Sequence, residues 1–246
     1  MADPFAIVKN GKIYVLCEEF DHGGSKGRII CFEVLGEDQL SEAKVVFEPP
    51  YSISYPYLFE YQGDIYCVPE TYQTRELSLY RAQTFPCDWI RVGTLLADFP
   101  AVDATIFQHE GRWWLTCGDE HLAHGLDRLF IWHADDPRGP WVPHEKNPVK
   151  IDVSSSRSAG TPFTHNGNLY RPAQDCSQTY GGRVVLNRIV KLTRTEFQEE
   201  VVSFVDPDSR GPYPDGLHTV SSAQDITFVD GKRLQNIASA TFKGTI

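Results

Sequence analysis

SYPYLFEYQGDIYCVPET, residues 54–71, sets the reading of this chain. A run rich in aromatic residues meets Gln62-Gly63, and a second β-forming run, IYCV, follows. Two such runs across a glycine-bearing pair read as a β-hairpin, because a tight hairpin turn needs positive φ. The same pattern stands upstream as ADPFAIVKNGKIYVLCEEF, residues 2–20, and downstream as VDATIFQHEGRWWLTCGD, residues 102–119. SAGTPFTHNGNLYRPAQD, residues 158–175, and SAQDITFVDGKRLQNIAS, residues 222–239, complete five copies. The turn glycines are read at Gly11, Gly63, Gly111, Gly167 and Gly231, spaced by 52, 48, 56 and 64 residues. Hairpin units recurring roughly every 50 residues build a β-propeller. The expectation is an all-β chain: one five-bladed β-propeller domain over residues 1–246.

The stretches between the copies fit outer blade strands. RIICFEVL and KVVFEP follow the first copy, ELSLYRA and DWIRVGTLL the second, RLFIWHA the third, and RVVLNRIVKLT and FQEEVVSFVD the fourth. They alternate or run apolar over strand lengths, and no segment sustains a 3.6-residue period. The fifth copy is thin, with 15 residues after Gly231.

Bulk composition narrows the partners. A net charge of −10 and the lack of a basic stripe argue against nucleic acid and anionic membranes. No apolar run approaches the roughly 18 residues of a membrane helix, and MADPF lacks the form of a signal peptide, so a cytoplasmic location is expected, with a removed leader left open. Cys17, Cys67 and Cys117 fall in the second strand of three blades and read as reduced, buried thiols. Neither a phosphate-binding glycine loop nor a GxSxG nucleophile motif is present. No cofactor is expected; a structural ion in the central channel stays open. The sequence leaves the oligomeric state open.

Propellers bind ligands in the funnel where the first strands converge. Counting back from each turn glycine aligns Asp3 with Tyr55, Asp103 and Ala159. Counting forward aligns Glu18 with Glu70, Gly118 and Gln174, and Glu19 with Thr71, Asp119 and Asp175. Apolar packing does not require acids at these strand ends. Asp3, Asp103, Glu70 and Asp175 therefore stand as site candidates, and Glu18, Glu19 and Asp119 as rim acids. Arg157 and Arg171 flank the fourth hairpin and suit bidentate recognition of a carboxylate or a hydroxyl pair. Gln174 and Tyr180 are hydrogen-bonding candidates for a sugar. His218, alone in GLHT, reads as a buried structural histidine or a funnel ligand. Trp113, Trp114 and Tyr57 are stacking candidates, with one of each adjacent pair turned into the core.

The G-x-[IL]-Y second strand and the LYRA…FP…W outer hairpin resemble the five-bladed propeller glycosidases of the arabinanase, xylosidase and invertase-like clans. SYPYLFEYQGDIYCVPET, VDATIF…GRWWL, RPAQDCSQTYG and GLHT together resemble the N-terminal propeller domain of the glucosamine inositolphosphorylceramide transferase family. The glycosidase resemblance implies three carboxylates: a base or nucleophile on blade one, a modulator on blade three and an acid on blade four. Asp3 and Asp103 match the first two. Where the third would stand the chain has Ser158-Ala159-Gly160, so Glu70 or Asp175 would have to supply the acid. The resemblance thus implies a carbohydrate-active protein acting on a carbohydrate or glycoconjugate, a glycosidase or glycosyl-transfer enzyme. The alternative is a non-catalytic glycan-binding propeller.

Overall fold

The computed structural model describes residues 1–21, 26–36 and 39–234. Blade one comprises β1 (Ala2–Lys9), β2 (Lys12–Asp21), β3 (Lys26–Gly36), β4 (Gln39–Leu40) and β5 (Lys44–Phe47), with β4 and β5 both pairing with β3. Blade two comprises β6 (Ser54–Tyr61), β7 (Asp64–Glu70), β8 (Glu76–Thr84) and β9 (Asp88–Ala97). Blade three comprises β10 (Ala101–His109), β11 (Arg112–Asp119), β12 (Arg128–Ala134), β13 (Val142–Pro143) and β14 (Lys150–Ile151). Blade four comprises β15 (Phe163–His165), β16 (Asn168–Asp175), β17 (Arg183–Leu192) and β18 (Phe197–Val205). The fifth sheet is the pair β19 (Val220–Ala223) and β20 (Ile226–Val229). The fold is the expected all-β propeller, with four full blades and a two-stranded fifth sheet among the described residues.

Chain-local chemistry explains the blades. The first four inner hairpins close through two-residue turns, Asn10-Gly11, Gln62-Gly63, Glu110-Gly111 and Asn166-Gly167, with both residues at positive φ. That backbone twist matches the twist of the strands it joins. The fifth hairpin departs from the sequence reading. Ala223 pairs with Ile226, so the turn is Gln224-Asp225 and not Asp230-Gly231. Gln224 carries the positive φ, while Gly231 lies so close to Tyr213 that a Cβ there would sit 2.6 Å from the Tyr213 Cβ. The corrected turn shifts the fifth copy by six residues and puts Leu217-His218 near the funnel position of Asp3 and Asp103.

The ring closes through its inner strands. β1 packs against β6 on one side and β19 on the other. Gly160 bridges Val220 in parallel between blades four and five. The main core fills blades one to three, with Phe5, Leu16, Tyr57, Ile106 and Leu115 nearly inaccessible. A second cluster around Phe107, Trp114, Leu169 and Leu192 joins blades three and four. Tyr57, Trp113 and Trp114, read as stacking candidates, are all buried in this packing. The six cysteines are free; five are buried and Cys87 is exposed. Among the described residues no helix is long and apolar enough to cross a membrane.

Candidate functional site

Three inner strands carry the same irregularity at their funnel end. The pairing register shifts between Ala2 and Phe5, between Ser54 and Tyr57, and between Val102 and Thr105. Within these bulges Asp3, Tyr55 and Asp103 adopt φ of 53°, 42° and 50°. Aspartate tolerates this left-handed backbone better than most side chains do, whereas for a bulky residue such as tyrosine it is a true outlier. Tyr55 is held there by its hydroxyl, which accepts the Gly160 N–H at 2.9 Å and lies 3.0 Å from Thr105 Oγ1. One side chain from blade two thereby ties blades three and four across the axis.

Asp103 lies at the centre of one half of the cluster. Its Oδ2 accepts from Arg157 Nε at 2.5 Å and from Gln174 Nε2 at 3.0 Å. Its backbone N–H donates to Glu70 Oε2 at 2.9 Å, and Glu70 Oε1 accepts the Ser54 hydroxyl at 3.0 Å. Arg157 also donates to the His124 carbonyl at 2.9 Å, and its guanidinium lies 5.2 Å from the centre of the Tyr180 ring. The loop carrying His124 comes this close because glycines line it: a Cβ on Gly125 would lie 2.2 Å from Val102 Cγ2, and one on Gly118 2.7 Å from the Gly125 carbonyl oxygen.

Asp3 lies at the centre of the other half. Its Oδ1 accepts the Thr219 hydroxyl at 2.6 Å and faces His218 Nε2 at 3.3 Å. The other imidazole nitrogen, Nδ1, lies 3.0 Å from Asp230 Oδ2. Asp230 also accepts the backbone N–H groups of Asp3, His218 and Thr219. The two halves repeat one device: Asp230 caps the bulge of blade one as Glu70 caps that of blade three. Both aspartates are buried, and no hydrogen bond from the described residues reaches Asp3 Oδ2 or Asp103 Oδ1.

The electrostatics follow from crowding carboxyl groups in a poorly hydrated funnel. Burial, then repulsion by Asp103, raises Glu70; burial also raises Asp103 against the pull of Arg157. Burial and the neighbouring Asp3 push Glu18 up to about 7. Burial alone would lower His218, but its hydrogen bonds to Asp230 and Asp3 outweigh that and hold it well above the usual histidine range. Asp230 moves down despite burial, because His218 and two backbone N–H groups favour its charged form. Asp3, His218 and Asp230 bring ligand-type atoms within 4.8 Å of one another. Each imidazole nitrogen faces a carboxylate, and these two contacts favour the protonated ring.

The structure gathers Asp3, Asp103, Glu70, Arg157, Gln174 and His218 around the funnel, with the half-exposed Tyr180 ring 5.3 Å from His218. It leaves four other candidates outside. Arg171 is 1% exposed and pairs through Nε and one Nη with Glu199, which also binds Lys150. Asp175 accepts from Ser177 and Arg183, and these partners keep its carboxyl low despite burial. Glu19 pairs with Arg28, and Asp119 accepts the His121 N–H in a turn. The strand period explains this split: Gln174 alternates with Asp175, and Glu18 with Glu19, so neighbours leave the sheet on opposite faces. Asp230 and Thr219 are members of the cluster that the fifth-copy misregister concealed.

The sequence pattern described as "Glucosamine inositolphosphorylceramide transferase 1, N-terminal" matches residues 1–212. Glucosamine inositolphosphorylceramide transferase 1 of Oryza sativa subsp. japonica is 36% identical over 209 residues, 82% of this chain and 28% of the relative. The protein of that name in Arabidopsis thaliana is 32% identical over 249 residues, 95% of this chain and 32% of the relative. The chain therefore spans about a third of these relatives' length. Among solved structures, the family 117 glycoside hydrolase Zg3597 of Zobellia galactanivorans superposes with a TM-score of 0.63 at 16% identity, over 88% of this chain and 71% of that one. That likeness concerns the fold.

Proposed function

The chain belongs to the glucosamine inositolphosphorylceramide transferase 1 N-terminal domain family, and from that premise we propose that its funnel binds a carbohydrate and acts on a glycosidic bond. The observation that carries the reading is the pairing of Asp3 and Asp103. They stand at matching bulges of two blades, each anchored on one oxygen, with no hydrogen bond from the described residues to the other. In this reading Asp3 Oδ2 takes a proton from the attacking hydroxyl, of water or of an acceptor sugar. Asp103, fixed by Arg157 and Gln174, orients the sugar through its free oxygen. Donors fixed before the ligand arrives need no reorganisation when charge develops. The relatives are named for glucosamine transfer, which supports including amino sugars and inositol-linked glycans among the ligands.

A second reading, a non-catalytic glycan-binding propeller, is supported by a specific observation. Blade four has Ala159 where Asp3 and Asp103 stand in blades one and three, and a Cβ at the adjoining Gly160 would lie 1.8 Å from the Val220 carbonyl oxygen. A screen of glycans and aryl glycosides separates the two. Wild type is expected to bind and turn over at least one member, with turnover falling by about 100-fold or more in Asp3→Asn. Binding without turnover supports the module, and turnover untouched by Asp3→Asn and Asp103→Asn overturns the site.

A further inference from the structure

We propose that Glu18 is the proton donor of this funnel, a role that rests on the funnel acting on a glycosidic bond. The argument comes from comparing one repeat position around the ring. Glu18 in blade one pairs with Ala2, and Glu70 in blade two pairs with Ser54. Gly118 pairs with Val102 in blade three, and Gln174 stands beside the Ser158–Ala173 bridge in blade four. In the fifth copy, counted from its Gln224-Asp225 turn, the place falls to Lys232, which bridges Gly216.

Four of these five places have a fixed structural duty or no functional group. Glu70 caps the bulge of Asp103, and Lys232 donates to the Thr179 hydroxyl and the Tyr180 carbonyl. Gln174 binds Asp103 and the Ser158 carbonyl. Gly118 makes room for Gly125. Glu18 is different: no hydrogen bond from the described residues reaches its carboxyl group, and it is only partly buried. Its carboxyl group lies beside the main chain at Gly27, where a Cβ would lie 2.6 Å from Glu18 Oε1 and 2.7 Å from the Ile53 carbonyl oxygen.

Among the described residues, Asp3 on its own blade, His218 at the fifth sheet and Asp103 on blade three act on Glu18 by charge. Burial and the Asp3 charge keep a large share of Glu18 protonated near neutrality. A carboxylic acid with its proton available and its oxygens unbound is what protonation of a leaving oxygen requires.

The step balances without any further reactant. Glu18 gives its proton to the glycosidic oxygen as the C1–O bond breaks, and the bond's electron pair stays with that oxygen. The incoming hydroxyl oxygen forms the new bond to C1 and loses its proton to Asp3. Solvent then takes that proton from Asp3 and returns one to Glu18.

The test is Glu18→Gln, assayed on two aryl glycosides of one sugar, with a poorly leaving and a well leaving phenol. The substituted protein is expected to lose about 100-fold or more on the poor leaving group and under about 10-fold on the good one. The basic limb of the wild-type pH profile, near pH 7, should disappear with it. Glu70→Gln, which disturbs the Asp103 bulge, should lower both substrates alike. Equal loss on both substrates in Glu18→Gln, or no loss, with an unchanged melting temperature, overturns the assignment while the glycosidic reading stands. Wild type that binds glycans but turns over none overturns both.

Discussion

Arg157 is the residue on which the Asp103 half of the funnel depends. Both side chains of the pair are under a tenth exposed, and the guanidinium also holds the His124 loop. Removing one partner of a buried pair leaves a charge without compensation, which costs about 3–5 kcal/mol. Arg157→Met should therefore lower the unfolding free energy by roughly that amount in urea denaturation. Adding Asp103→Asn should restore part of it. A loss within about 0.5 kcal/mol, as at a surface position, would mean that solvent already compensates Asp103. Arg171, read from sequence as the companion of Arg157, illustrates where such reading stops. Composition shows two arginines near one hairpin, but only the pleat decides which face each leaves. Arg171 and Gln174 are three residues apart on a regular strand, so one reaching Asp103 sends the other to Glu199. The period-2 rule was available in the sequence and would have separated them.

At the scale of strands, the bulges and turns set the geometry. Asp3, Tyr55 and Asp103 were legible as one position because the turn pairs Asn10-Gly11, Gln62-Gly63 and Glu110-Gly111 gave a common origin for counting. The fifth copy was not, since Asp-Gly is the strongest short hairpin signal and Asp230-Gly231 supplies it falsely. The real turn, Gln224-Asp225, has no glycine, and Asp230 serves as the cap of the first blade. Blade four depends on a different local feature. Gly160 sits at φ 118° with its N–H on the Tyr55 hydroxyl and its Cα against Val220. Gly160→Ala combines a forbidden backbone with a clash against main chain, so it should disrupt the seam between blades four and five. A thermal scan is expected to show a loss of several degrees or failure to fold, and an unchanged melting temperature would contradict the close approach.

For the whole molecule, the funnel writes itself into the pH dependence of stability. Glu18, Glu70, Asp103 and His218 all hold protons more tightly folded than unfolded. For such groups the contribution is fully present below the unfolded pKa and is lost as pH rises through the folded one. Glu18's share falls between the ordinary 4.5 and about 7, and His218's share declines above 6.5. Asp230 has the opposite sign: its contribution is present above 3.8 and is lost below. The melting temperature should therefore be higher at mildly acidic pH than at about pH 9, and Glu18→Gln should flatten the descent up to neutrality. A flat profile in wild type would contradict the crowded-carboxyl account. The propeller itself was legible from the repeat, whereas the share of the fifth copy in the cluster, His218, Thr219 and Asp230, depended on a register that the folded chain fixes. The most direct test of the central claim is a crystal structure of the protein with an oligosaccharide taken from the glycan screen. The account predicts one sugar ring in the funnel, hydrogen-bonded to both Asp3 Oδ2 and Asp103 Oδ1. A sugar seated elsewhere on the propeller, with neither aspartate touching it, would contradict the account.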